Sequence, residues 1–297
     1  MTEKAGIDLE IITDHKCLLG EGPVWDATSK TICWIDILNG QIHQYATEQQ
    51  THKTIHVHQM IGSLAVCTNG NMIAALQNGF ALINQETHEI KMITDPENHL
   101  PNNRFNEGKC DPAGRFWAGT MSLSEDTGTG NVYMMQNGLD PVKKIEAVSI
   151  SNGMAWSSDH QTFYYIDSPT MQVVAYDYDK ATGHISNKRT VVKIEKEEGI
   201  PDGMTIDNQG MLWIAHWDGW QVTRWNPHTG EKLYTIKLPV AKVTSCTFGG
   251  PTFEDLYITS ANVGLSESEL VQQPLAGSLF VLRNCGFKGL PAFEFKV

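Results

Sequence analysis

The sequence predicts an all-β protein with the architecture of a six-bladed β-propeller. Three observations favour this fold: a strand–turn–strand unit recurs six times, the second strand of the units is apolar and rich in aromatic residues, and long amphipathic helical windows are missing. The units recur with a period of about 42 to 50 residues, which is typical of propeller blades. We therefore predict a single domain over residues 1–297.

Each unit reads as a small antiparallel meander. The first strands begin near Gly22, Ser63, Gly108, Gly153, Gly203 and Thr244. The second strands lie at 32–36, 72–75, 116–120, 163–167, 212–216 and 256–260. A third strand follows with Asn or Gly turn chemistry, as at 40–45 and 173–179. The alternative is a pair of β-sandwiches with coincidental turn spacing, although sandwiches do not need aromatic residues in register.

Composition excludes several classes of protein. A chain of 297 residues that is 41% hydrophobic can bury a full core, which excludes disordered and fibrous classes. Its net charge of −12 and its lack of Lys/Arg runs argue against nucleic-acid binding and against anionic membranes, and favour cations as ligands.

Residues 1–6 resemble no secretion signal and no apolar stretch is long enough to span a membrane, so we expect a soluble, cytoplasmic protein, with a monomer as the default. The six scattered cysteines indicate reduced, partly buried thiols.

Three first strands begin with an oxygen-bearing side chain followed by glycine. These side chains are Glu21, Asn152 and Asp202. Equal register in different blades would bring them together at the central channel, where their hard oxygen donors suit Ca²⁺, Mg²⁺ or Mn²⁺. The alternative is that the Asn-Gly and Asp-Gly pairs are simply hairpin turns.

The segment before the third unit, 102–108, mixes hydrogen-bonding side chains. Arg104 and Asn106 alternate about Phe105, so in an extended segment both point to one side, as a site for sugar hydroxyls requires. The alternative is a loop whose Asn residues tolerate turn geometry. Two longer irregular segments, 94–105 and 122–130, are predicted to be loops over one face of the domain.

Other candidate residues are weaker. His43, His52, His56 and His58 lie near one another in sequence, but strand alternation and exposed turn positions explain them without a zinc ion. No G-x-S-x-G motif marks a nucleophile. Trp217 and Trp220 could line a ligand cleft or merely pack.

The chain resembles the family of senescence marker protein (regucalcin), gluconolactonases and the firefly luciferin-regenerating enzyme. The resemblance covers nearly the whole chain and rests on motifs at 20–25, 103–109, 111–121, 151–157, 164–168, 200–204, 244–250 and 286–289. It implies a six-bladed propeller with one divalent cation held by Glu21, Asn152 and Asp202. It also implies that Arg104 and Asn106 contact substrate and that Asp202 helps to activate water.

Two positions depart from the family pattern. Glu107 replaces a frequent Asp and still offers a carboxylate to substrate, whereas Ser124 replaces an acidic residue of some members and cannot supply a charge. Glu125 is adjacent but would face elsewhere in an extended strand. The substrate-contacting wall is therefore expected to differ from that of the animal members.

We predict a metal-dependent hydrolase of sugar lactones such as gluconolactone, using one divalent cation (Ca²⁺, Zn²⁺, Mg²⁺ or Mn²⁺). Two alternatives remain open at this point. One is a Ca²⁺-binding or stress-response propeller with little turnover, and the other is a hydrolase of another lactone or ester, of the luciferin-regenerating or organophosphate type.

Overall fold

The computed structural model describes residues 9–297, and its architecture is a ring of six four-stranded antiparallel sheets. The strands are β1 (Leu9–Ile11), β2 (Gly20–Asp26), β3 (Thr31–Asp36), β4 (Gln41–Ala46), β5 (Thr51–His56), β6 (Ile61–Val66), β7 (Met72–Leu76), β8 (Gly79–Ile83), β9 (Ile90–Thr94), β10 (Asn103–Cys110), β11 (Phe116–Ser122) and β12 (Gly130–Met135). They continue with β13 (Val142–Val148), β14 (Ser151–Trp156), β15 (Thr162–Asp167), β16 (Gln172–Asp179), β17 (His184–Lys193), β18 (Ile200–Ile206), β19 (Leu212–Trp217), β20 (Gln221–Asn226), β21 (Glu231–Lys237), β22 (Val243–Gly249), β23 (Asp255–Ser260) and β24 (Phe280–Leu282).

Helical structure is confined to short turns in the described part of the chain. One α-helix, α1, covers Glu267–Gln272, and two 3₁₀ turns cover Ser168–Thr170 and Lys196–Glu198. Within residues 9–297, no helix is long and apolar enough to cross a membrane.

Five blades are built from four strands that follow one another in the chain, and the sixth is completed from the other end of the sequence. Its strand order is β22, β23, β24 and then β1, with Leu9 opposite Leu282. The first strands of the blades (β2, β6, β10, β14, β18 and β22) contact one another around the ring, so they are the inner strands. This architecture confirms the predicted six-bladed propeller.

The hydrophobic core is divided among the six interfaces between neighbouring blades. Each cluster joins residues of two adjacent blades, as where Phe80 of the second blade meets Phe105 and Phe116 of the third. The aromatic residues of the second strands are the largest side chains in these layers: Trp34, Trp117, Trp213 and Tyr257 are fully buried. Large aromatic surfaces contribute most to such packing, which explains why they recur in register.

Two sequence-based expectations extend beyond what the structure describes. The prediction of one domain over residues 1–297 and the interpretation of residues 1–6 both include positions that lie outside the described residues, and they stay predictions. The expectation for the cysteines lies within the described residues. All six are free thiols, as expected, and all six are buried, where only partial burial was expected.

Candidate functional site

Register shifts in the inner strands determine where the site side chains point. In β10 the pairing with β11 jumps from Phe105 to Gly108, so Asn106 and Glu107 together face one partner residue. The same shift leaves Asn152 unpaired in β14 and Asp202 unpaired in β18, and in β2 it begins directly after Glu21. A β-bulge bends its strand and redirects side chains, as is common beside active sites. The Asn-Gly and Asp-Gly pairs are therefore bulges within strands and not hairpin turns.

Glycines after two of these residues allow neighbouring inner strands to approach closely. A Cβ atom on Gly153 would lie 2.6 Å from the Cβ of Met204, and one on Gly203 would lie 2.1 Å from the Ser245 Oγ. Neither distance is compatible with a side chain, so these positions require glycine. The inner strands are therefore closely packed at this end of the channel.

A chain of hydrogen bonds links the substrate and metal candidates. Arg104 Nη1 donates to Asn106 Oδ1 at 2.7 Å, and Asn106 Nδ2 donates to the Ser151 carbonyl at 2.8 Å and to Asn152 Oδ1 at 3.2 Å. Phe105, between Arg104 and Asn106, is buried in a blade interface. The alternation expected at 104–106 is therefore correct, and both polar side chains face the channel site.

The orientation of the Asn152 amide is set by a residue that the sequence analysis did not single out as functional. Asn152 Nδ2 donates to Ser168 Oγ at 2.8 Å, and Ser168 Oγ donates to the Pro201 carbonyl at 2.6 Å. The amide nitrogen is thus held away from the centre and Oδ1 remains as the acceptor. The only earlier signal for Ser168 was its place in the 164–168 motif.

Three buried carboxyl groups meet at this end of the channel. Glu21, Glu107 and Asp202 are each at most 7% exposed. Burial raises the pKa of all three, and the charge of Glu107 further raises the pKa of Glu21. The pKa of Asp202 rises for the same reasons, burial first and then the charges of Glu21 and Glu107. Among the described residues, Glu107 Oε2 has no hydrogen-bond partner.

Two basic side chains compensate this negative charge only in part. Burial lowers the pKa of Arg104 to about 10, while Glu21, Glu125 and Asp202 oppose that shift. Lys109, which the sequence analysis did not assign, donates from Nζ to the Met204 carbonyl at 2.7 Å and acts to lower the pKa of Glu21 and Glu107. Three carboxyl groups beside two bases leave a site of net negative potential.

The donor set fits a hard divalent cation. Carboxylate oxygens of Glu21 and Asp202 and the oriented Oδ1 of Asn152 are the oxygen ligands that Ca²⁺ and Mg²⁺ prefer, and the set contains no nitrogen or sulfur ligand. Buried like charges destabilise the folded protein unless they are paired or bind a metal, so a bound cation would stabilise this group of carboxylates.

The two loops expected over one face lie beside Arg104. They join strands at 94–103 and 122–130, and they are hydrogen-bonded to each other where Leu123 N donates to the Asn102 carbonyl at 2.7 Å. Glu97 anchors the first loop by accepting hydrogen bonds from Asn103, Thr120, Asn131 and Tyr133. The loops therefore form a fixed wall beside Arg104, and the first is shorter than expected because residues 103–105 belong to strand β10.

The extended strand that was assumed for Glu125 is not present. Strand β11 ends at Ser122, and Glu125 lies in the following turn with φ of 56°. The premise of an extended strand therefore fails, and the Glu125 charge is close enough to raise the pKa of Arg104. Ser124 is exposed in the same turn.

Two further expectations concern the exposure of tryptophan and histidine side chains. Lys242 Nζ lies 4.1 Å from the centre of the Trp217 ring, so this ring is covered and is not an open apolar wall, while Trp220 is 41% exposed. His56 and His58 are exposed as expected, but His43 is completely buried, which strand alternation at an exposed edge did not predict.

Comparison with known proteins identifies the family. A family model described as the SMP-30/gluconolactonase/LRE-like region matches residues 19–262, which include every candidate site residue. The chain belongs to this family. Among SMP-30/gluconolactonase/LRE-like proteins, regucalcin from Danio rerio is 40% identical over 293 residues, covering 98% of this chain and 99% of that protein.

Solved structures of the family agree with the fold. The structure of a luciferin-regenerating enzyme superposes with a TM-score of 0.92 at 32% identity, covering 98% of this chain and 100% of that one. A calcium-binding protein, regucalcin from Agrobacterium tumefaciens, superposes with a TM-score of 0.92 at 27% identity, covering 97% of both chains. The family resemblance inferred from the motifs is thus confirmed.

Proposed function

We propose that this protein is a divalent-metal-dependent lactonase that opens sugar lactones to the corresponding acids. The observation that carries the proposal is the meeting of Glu21, Asn152 and Asp202 with Arg104 and Asn106 at one end of the channel. A pure cation buffer needs only the first three residues. The buried guanidinium and amide beside them supply donors for a polar organic ligand.

Glu21, Asn152 and Asp202 are the residues that would hold the cation. A divalent cation bound there supplies Lewis-acid stabilisation of the negative charge that develops on the lactone carbonyl oxygen. The fixed Asn152 amide contributes a neutral oxygen and the two carboxylates contribute charge.

Asp202 would also serve as the general base. It accepts a proton as water adds to the carbonyl carbon, and a proton passes to the ring oxygen as the carbon–oxygen ester bond breaks. The product is a hydroxy acid that ionises and releases one proton. Without a cation, burial and the charges of Glu21 and Glu107 raise the pKa of Asp202, and the positive charge of a bound cation would oppose that shift.

Arg104, Asn106 and Glu107 would orient the sugar. Among residues 9–297, the acceptors of the Arg104 guanidinium are the Phe105 carbonyl and Asn106 Oδ1, and both contact Nη1. Nε and Nη2 remain as donors for substrate hydroxyls, and Glu107 Oε2 is an acceptor without a partner. Holding the ring against the attacking water converts binding energy into orientation.

Two other functions have some support. The cluster of three buried carboxyl groups, together with the calcium-binding description of the Agrobacterium tumefaciens relative, supports a cation-binding propeller with little turnover. Likeness to the luciferin-regenerating enzyme supports another ester substrate. Since Trp217 is covered by Lys242 and the site residues are polar, we rank sugar lactones first.

The test is proton release from glucono-, galactono- and xylonolactone, with an aryl ester and a phosphotriester beside them, by wild-type protein, Asp202→Asn and Glu21→Gln. We expect wild type to prefer sugar lactones, Glu21→Gln to require more cation, and Asp202→Asn to lose more than about tenfold in kcat. Preference for the aryl ester would reject the substrate class. Near-normal kcat in Asp202→Asn would reject its role as base.

A further inference from the structure

A second group of metal-ligating side chains lies outside the channel site. His15, Cys17 and His43 each direct one ligand atom to a common point, with all three atoms within 4.8 Å of one another. His15 and Cys17 belong to the segment between β1 and β2, and His43 lies on β4 of the first blade. None of these residues contacts the proposed lactone site.

The histidine nitrogens at this point lack partners. Among the described residues, neither His15 Nε2 nor His43 Nε2 has a hydrogen-bond partner, although both atoms are buried and His43 is 0% exposed. A buried polar atom without a partner costs about 1–3 kcal/mol, so two of them side by side need an explanation. Ring stacking on Trp34, 5.0 Å from His43, explains the plane of the His43 ring but gives its Nε2 no partner.

The other side of His43 is already arranged as in a metal-ligating histidine. Its Nδ1 lies 3.1 Å from Thr54 Oγ1 and 3.1 Å from His52 Nε2. We assign the ring proton to Nδ1, which donates there and leaves a lone pair on Nε2 for a metal. An outer hydrogen bond of this kind fixes the tautomer and the ring direction of metal ligands.

The two residue types suit coordination. A neutral imidazole nitrogen and a cysteine thiolate are both metal ligands, and a thiol loses its proton when it becomes a ligand.

We propose that His15, Cys17 and His43 form a second metal site, specific for a borderline or soft divalent ion such as Zn²⁺. Imidazole and thiolate ligands select this class, whereas the oxygen ligands in the channel select hard cations. In a tetrahedral zinc site, ligand atoms are roughly 3.5 Å apart, so closure from the observed separation needs side-chain shifts of about 1 Å. His15 is only half-buried, so it lies nearer the surface than Cys17 and His43.

The position of this second site gives it a structural role. The backbone of Cys17 donates to the Gly277 carbonyl of the sixth-blade side at 2.8 Å, and Lys16 contacts Ser278 there. His43 belongs to the first blade. A metal bound by both Cys17 and His43 would therefore tie the segment between β1 and β2 to the first blade. That segment also contacts the sixth blade, so the metal would strengthen the point where the ring closes.

Cobalt(II) titration of the metal-stripped, full-length protein tests the proposal, because a cysteine thiolate produces a sulfur-to-cobalt charge-transfer band that oxygen ligands cannot. We expect this band in wild type, its loss in Cys17→Ser, and at least about tenfold weaker cobalt binding in His43→Gln. Cys33→Ser is the matched control, since Cys33 is equally buried in the same blade and belongs to no histidine cluster.

Two further variants make the result unambiguous. Glu21→Gln should keep the band, because it alters only the channel site, and His15→Asn, at a half-buried position, should weaken cobalt binding even if Cys17→Ser fails to fold. With calcium present to fill the channel site, Zn²⁺ should raise the melting temperature of wild type and Cys33→Ser but not of Cys17→Ser. Absence of the band in wild type, its persistence in Cys17→Ser, or unchanged affinity in folded His15→Asn would overturn the second site.

Discussion

Ser168 offers a sharp test of how the channel site is organised, because its hydroxyl touches no proposed ligand oxygen and yet sets the direction of one. Ser168 is 2% exposed, accepts from Asn152 Nδ2 at 2.8 Å and donates to the Pro201 carbonyl at 2.6 Å. Ser168→Ala removes both bonds and leaves two buried polar groups unpaired. At about 1–3 kcal/mol for each group, the free energy of unfolding should fall by about 2–6 kcal/mol.

The same substitution should weaken cation binding. Without Ser168 the Asn152 amide can rotate and present its NH₂ group to the cation site, and loss of such an outer partner costs about 10- to 100-fold in metal affinity. Calcium titration calorimetry measures the affinity and urea unfolding measures the stability. Activity at saturating cation should recover, because no reacting group has been removed.

Ser260→Ala is the matched control. Ser260 is also fully buried, and its hydroxyl donates to the Ser278 carbonyl at 2.8 Å, away from the channel site. It should lose stability without losing cation affinity, and Ser168→Thr should restore both properties. If Ser168→Ala bound calcium within about twofold of wild type, the assignment of Asn152 as an oriented ligand would be refuted.

Three further predictions concern Glu125 in the turn after β11, a buried ion pair and the pH dependence of stability. Glu125→Gln should change KM for sugar lactones several-fold with unchanged cation affinity, since its charge acts on Arg104; equal KM values would place it outside the substrate wall. Asp111→Asn should lower the free energy of unfolding, measured by urea denaturation, by about 3–5 kcal/mol. The reason is that Arg115, which lies 2.7 Å from the Asp111 carboxylate, would keep a buried charge without its partner. A loss below about 1 kcal/mol would contradict this. Burial lowers the pKa of His216 from 6.5 to about 4, so the unfolded chain binds the extra proton and stability should fall as pH drops from 6.5 to 4, by up to about 3 kcal/mol. His216→Gln should flatten urea midpoints across that window, and an unchanged slope would show that other groups cause it.

Repetition made the fold and the main site predictable from sequence. Aromatic second strands recur because every blade must cover the next one, and Glu21, Asn152 and Asp202 occupy equal register because every inner strand meets the channel at the same end. Their roles as ligands stay predictions, as does the substrate role of Arg104, Asn106 and Glu107. What the structure adds is their burial together at one point.

Features that depend on pairing or on distant contacts could not be predicted in this way. The bulges that redirect Asn106 and Asp202 arise from strand register, which a single strand does not reveal. The place of Glu125 depends on where β11 ends, and the contact of His15 with His43 depends on ring closure by β1. Strand alternation alone did not reveal that tertiary packing buries His43 completely.

The most direct test of the lactonase assignment compares two curves on the same metal-stripped protein: calcium binding by calorimetry, and the rate of gluconolactone opening as calcium is restored. If the channel site is a metal-dependent lactonase, the two curves superimpose, and both shift to higher calcium in Glu21→Gln. Saturable calcium binding with lactone opening no faster than the spontaneous rate would contradict the assignment and favour a cation-binding propeller.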